Sequence, residues 1–186
     1  MGNVINIRMA LEQLGTGWKF GGSVTDGTQE AWQAVTWEDK RVKPAWADLC
    51  AAHIATIASR VLAAIDSETS AAIIAGFDYV VDGVSYHFSY DAFDQQNFAD
   101  TANVALLAQM GGTGLPESVN WNAYKNWQNS KGELVRLTFT AATFLTLYTA
   151  GAVAHKAARM AEGGARKAAL AEAVARGATA EELEAI

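Results

Sequence analysis

Cys50 and His53 stand three residues apart, which on a helix puts a thiol and an imidazole on one face, half of a zinc-binding pattern. Structural zinc takes four such ligands, and this sequence holds one cysteine and three histidines, His53, His87 and His155, so the other half is missing. Asp91, Asp94 and Asp100 lack the alternating oxygens, central glycine and closing glutamate of a calcium loop, and suit a helix cap and a solvated face. Gly111-Gly112-Thr113-Gly114 lacks the Lys-Ser/Thr ending of a phosphate loop and follows a helical pattern rather than a strand. No Gly-x-Ser-x-Gly elbow presents a nucleophile. The expectation is a protein that is not an enzyme, with no catalytic residue, cofactor or metal.

Aromatic residues offer binding chemistry instead. Trp121, Tyr124 and Trp127 recur at three-residue spacing among Asn120, Asn122, Asn126 and Asn129. Ring faces and amides of this kind hold sugars and proteins, and Trp and Tyr are common interface anchors. The other reading is that half of them face a core, because a strand sends successive side chains to opposite faces. Trp18 and Trp37, with Trp32 and Trp46, pose the same choice between a dry core and a socket for a neighbouring protein. Phe144 and Tyr148 lie on a C-terminal helical stripe whose remaining surface, Ala150-Gly151 and Val153-Ala154 among it, is small and apolar. Such a helix must be covered, either by a second copy of the chain or by its own hairpins and the preceding helix.

The elements that must position these residues follow from periodicity. Val4, Ile7, Leu11 and Leu14 predict a short helix ending at Gly15, and the glycine-rich stretch beyond it predicts short strands, with another over Ala31–Trp37. Pro44 suits the first turn of a helix running to about Asp66. Phe77, Tyr79 and Val81 then alternate toward Asp82-Gly83, a two-residue hairpin turn, and Val84, Tyr86, Phe88 and Tyr90 alternate on the return. Asp91 caps a helix that stops at Gly111-Gly112. A second hairpin flanks Asn129-Ser130-Lys131-Gly132, with strands over 121–128 and 133–137. Thr138 or Thr140 caps a long Ala-rich helix that weakens at Gly163-Gly164, and Thr179 with Glu182 makes a capping box for the last short helix.

Composition sets the outer bounds. A chain of 186 residues, 51% hydrophobic, can bury a core without staples, and a single cysteine permits no internal disulfide. A net charge of -6 disfavours nucleic acid and anionic lipid as partners. Met1–Gln13 carries Arg8 and Glu12 and no apolar run, so no secretory leader is expected. Leu137–Ala154 is uncharged and just long enough to cross a bilayer, yet its five threonines and its start inside a strand favour a buried or subunit-contacting helix, so no membrane is expected as a partner.

The order hairpin, helix, hairpin, long helix, capped terminal helix is carried by Asp82-Gly83, Tyr86–Asp91, the helix from Asp91, the aromatic hairpin from Trp121 to Leu137 and Ala178–Leu183. It resembles a domain of tailed-bacteriophage tail proteins known as domain of unknown function 4376. The resemblance implies an α+β fold of two β-hairpins packed with long α-helices, here with a small N-terminal mixed helix and strand region. The expected division is a Trp/Gly-rich docking region over 1–43, a connector helix over 44–75 and the hairpin–helix module over 76–186. For function the resemblance implies tail association only; the expectation built on it is a virion protein made in the host cytoplasm and sited in the tail tip, baseplate or fibre region. The expected partners are other phage tail proteins, a second copy through the C-terminal helix, or the host surface. A tail-fibre assembly chaperone absent from the finished particle is the alternative, and a membrane-associated phage protein is the third reading, ranked below both.

Overall fold

The computed structural model describes residues 4–186, and the fold is α+β, with a two-stranded and a four-stranded sheet. The chain forms two compact units, Met1–Ile65 with Arg166–Ile186, and Asp66–Ala165. The first contains α1 (Ile7–Leu14), β1 (Phe20–Gly21), α2 (Gln29–Ala34), β2 (Thr36–Trp37) and α7 (Ala180–Glu184). The second contains β3 (Phe77–Val81), β4 (Val84–Phe88), α4 (Ala92–Gln109), β5 (Ser118–Gln128), β6 (Lys131–Thr140) and α5 (Ala141–Thr146). Two long helices, α3 (Trp46–Ile74) and α6 (Ala154–Ala175), give residues to both.

In the first unit Asn6 caps α1, its Oδ1 accepting from Met9 N at 3.0 Å, and the helix buries Ile7, Ala10 and Leu11. The expected strand over Ala31–Trp37 is a correction: residues 29–34 are helical, and only Thr36–Trp37 pairs, with Phe20–Gly21. Thr28 Oγ1 accepts from Ala31 N and Glu30 sits in the first turn, so a cap and a favourable charge outweigh the β preference of the Val35-Thr36-Trp37 end. Pro44 precedes α3 by two residues rather than opening it, and α3 continues to Ile74, beyond the expected Asp66. A second core layer joins Ile57 and Ile65 of α3 to Leu170, Ala173 and Leu183. The terminal capping box forms as the sequence predicts, Thr179 Oγ1 accepting from Glu182 N and Glu182 Oε2 from Thr179 N.

The second unit is an antiparallel sheet in the order β3-β4-β5-β6. Asp82 (φ 50°) and Gly83 (φ 79°) make the predicted two-residue turn, and Asn129 (φ 48°) and Ser130 (φ 59°) make the second. Both strands of the second hairpin run longer than 121–128 and 133–137 because cross-strand pairing continues to Ser118 and Thr140. Phe77, Phe88, Ala123 and Phe139 line the inner face, covered by Phe98 of α4 and Phe144 of α5.

Thr140 caps α5, but no single helix follows. A π-helical segment, Leu147–Val153, intervenes before α6. Thr146 and Thr149 donate to the carbonyls of Ala142 and Leu145, competing with the helical ladder, and a Cβ at Gly151 would lie 2.6 Å from the Phe77 ring. The expected weakening at Gly163-Gly164 does not occur: α6 passes through, and Gly163 meets Thr69 so closely that a side chain there would run into it.

The span Leu137–Ala154 divides among strand, α5 and the π segment, because Leu137–Thr140 belong to β6. Among the described residues, the one helix long and apolar enough to cross a membrane by length and composition is α3, with a mean hydropathy of 1.4 over an 18-residue window, of which 28% is buried.

Candidate interaction surface

Strand alternation splits the aromatic hairpin between two faces. Trp121 pairs with Leu137 on the inner face and meets the Phe98 ring at 4.4 Å and the Phe144 ring at 5.0 Å. Tyr124, three residues on, faces outward, opposite Leu134 on β6 and His87 on β4. A β-bulge between Lys125 and Gln128, with Asn126 at φ 53°, then sets two residues of β5 against Gly132 and turns Trp127 outward as well. Gly132 leaves room for that ring, since a Cβ there would lie 3.0 Å from Trp127 Cε3.

Trp127 stacks on His87 with ring centroids 4.2 Å apart and planes 4° from parallel, and meets Tyr124 at 5.0 Å. Beneath it His87 Nδ1–H donates to Asp78 Oδ1 at 2.9 Å, a pair that the hairpin register places directly opposite. His87 is 7% exposed, and its Nε2 is buried without a hydrogen-bond partner against Gly76. The pair holds the imidazole on which Trp127 is seated. Further along the same face lie Asn120, Asn122, Arg136 and Thr138, all exposed, with Thr138 Oγ1 donating to Asn120 Oδ1 at 2.8 Å.

A second surface of this unit is apolar. Helix α4 buries Phe98, Ala102 and Ala105 against the sheet but leaves Val104, Leu106, Leu107 and Met110 exposed at its C-terminal end, Met110 by 76%. Beside them is a groove of about 260 Å³ lined by Val104, Ala105, Pro116, Val119 and Ala141.

Of the residues singled out in the sequence, Tyr124 and Trp127 come together on the outer face. Phe144 is 0% exposed and is core, a correction to its reading as a contact, while Trp121 and Tyr148 are half-buried and pack on the same core. Trp18 and Trp37 form a knot with Phe20 and Trp32, roofed by Arg41 at 3.7 Å over Trp18. Their indole N–H groups are used internally: Trp18 donates to Leu11 O and Gly15 O, Trp37 to Arg41 O. With that one donor bound, what each tryptophan still offers a neighbour is its half-buried ring. Arg41 also binds Asp39 through Nε and Nη2, which holds the Asp39 carboxyl far below the usual carboxylate range.

Cys50 and His53 line a cleft of about 730 Å³ with Val4, Ile5 and Gly177–Glu181. His53 Nδ1 is buried without a partner, and burial pushes its pKa down, opposed by the charges of Glu184 and Glu181. Burial pushes the Cys50 thiol up. Among the described residues no group of three or more His, Cys, Asp or Glu side chains is placed to hold a metal ion.

The sequence reading missed the His87–Asp78 pair, Arg136 and the α4 ridge. The first was available, because a two-residue turn at Asp82-Gly83 fixes Asp78 opposite His87. A family model described as Domain of unknown function (DUF4376) matches residues 56–186. No curated protein and no solved structure matches the chain.

Proposed function

We propose, for a chain that belongs to the family described as Domain of unknown function (DUF4376), a non-enzymatic role as a structural component of a tailed-phage virion, in the tail tip, baseplate or fibre region. Its work is protein–protein contact. The phage assignment comes from the sequence resemblance; the contact role is supported by the ridge of Val104, Leu106, Leu107 and Met110 at the end of α4. Large apolar side chains clustered in water beside an apolar groove mark an interaction site more often than a solvated surface. Helix α4 therefore takes over the part first given to Phe144, which is enclosed.

The test is quantitative mass spectrometry of purified virions against infected-cell lysate. A fixed ratio of this chain to a known tail protein in the particle supports the reading. Abundance in lysate with absence from particles refutes it and selects an assembly chaperone.

A further inference from the structure

We infer that the outer face of the four-stranded sheet binds an acidic oligosaccharide, with Trp127 and Tyr124 as ring platform, Asn120 and Asn122 as amide partners and Arg136 holding a carboxylate. Four features of this face choose the occupant. The first is the aromatic pair, fixed in place: Trp127 is clamped on His87, and His87 is tied to Asp78, so the platform is built before any ligand arrives. A pre-set ring meets the apolar C–H face of a sugar without further ordering cost.

Next come the polar groups. Asn122 lies two residues from Tyr124 on β5, about 7 Å along the strand, and Asn120 lies two further. Thr138 occupies only the Oδ1 of Asn120, leaving amide N–H groups free to meet sugar hydroxyls.

The third feature is charge. Arg136 is the direct cross-strand partner of Asn122, is exposed, and makes no ion pair or hydrogen bond within the described residues. The outward positions around it on β5 and β6 are Ser118, Asn120, Asn122, Tyr124, Leu134, Thr138 and Thr140, none of them acidic. Asp78, the carboxylate on the far edge, is three strands away, about 14 Å, beyond the screening length at physiological salt, and is engaged by His87. The free guanidinium thus complements a single carboxylate, which it can grip with a planar two-pronged hydrogen bond.

Finally, one cation among amides, hydroxyls and two rings fits a polymer that alternates acid groups with hydroxyls better than an acidic peptide, whose closely spaced charges need several cations. This inference does not depend on the virion reading.

Isothermal titration calorimetry on the full chain tests it with three probes: a galacturonic acid tetramer, a neutral galactose tetramer and tetraglutamate. The acidic sugar is expected to bind, the neutral one at least about tenfold more weakly, and Arg136→Gln is expected to erase that difference. Asn122→Ala should weaken both sugars. Arg136 and Asn122 are exposed, so both variants keep the fold, which circular dichroism verifies. No heat with the acidic sugar at millimolar concentration overturns the proposal. So does tetraglutamate binding as tightly, or a sugar preference that survives Arg136→Gln.

Discussion

Replacing Trp121 and Trp127 one at a time by alanine separates the two faces of β5 by their energies. Trp121 touches Phe98 and Phe144, both fully buried, so its removal opens a space in the core of the Asp66–Ala165 unit. Buried Trp→Ala changes cost about 3–5 kcal/mol, and because Trp121 is half-buried the lower end, about 3 kcal/mol, applies. Trp127 loses one stack on His87 and one tilted contact with Tyr124, each worth about 0.5–1.5 kcal/mol, while uncovering a His87 Nε2 that then gains water, for a net cost near 1 kcal/mol. For a chain of this size each kcal/mol moves Tm by about 2–4 °C. Trp121→Ala should therefore lower Tm by about 6–12 °C and Trp127→Ala by about 2–4 °C, read by thermal circular dichroism and by urea midpoints. A Trp127→Ala loss equal to or larger than that of Trp121→Ala would refute the assignment of faces, and the ligand platform with it.

Gly76→Ala should cost about 2–3 kcal/mol in urea unfolding, since φ is +88° and the new methyl would run into the Phe88 carbonyl and the His87 ring; a neutral outcome contradicts that packing. His53 gives a pH signature. Its folded pKa lies below the ordinary 6.5, so the unfolded chain binds the proton first, and stability falls as pH drops from 6.5 toward the folded value. A His53→Leu variant should lose this part of the slope in Tm between pH 7 and 5, and an unchanged slope would mean the imidazole is not desolvated. On the proposed virion role, Leu107→Glu with Met110→Glu, both on the exposed ridge, should leave Tm within about 2 °C yet remove the chain from purified virions. Undiminished incorporation would move the contact elsewhere.

The Asp82-Gly83 hairpin, the Asp91 cap and the Thr179–Glu182 box were legible because each rests on a few adjacent residues whose side chains settle the local backbone. Residues 29–37 were not. Their β-branched end pulls one way and the Thr28 cap the other, and Trp32 tips the balance by burying its ring and donating Nε1–H to Pro44 O, twelve residues away. The α4 ridge was half legible: Val104, Leu106, Leu107 and Met110 add apolar residues outside the face that carries Phe98, Ala102 and Ala105, more than one buried stripe can hold.

Trp127 shows why the outer site could not be read from spacing. Trp121 and Trp127 are six residues apart, and a strand period of two assigns them to one face. They occupy opposite faces because the bulge inserts one residue between them, and the bulge is held by a positive φ at Asn126 together with a partner, Gly132, that has no side chain to contest the space. Neither residue signals a bulge alone; asparagine and glycine near a turn are ordinary turn chemistry. Only the register of the full hairpin, set by the Asn129–Ser130 turn, brings the two opposite each other. The same register puts Arg136 beside Asn122. One inserted residue thus moves Trp127 out of the row of Trp121 and Ala123, where it would have been core, and lays it over His87, where its ring joins Tyr124 on the face that carries the free guanidinium.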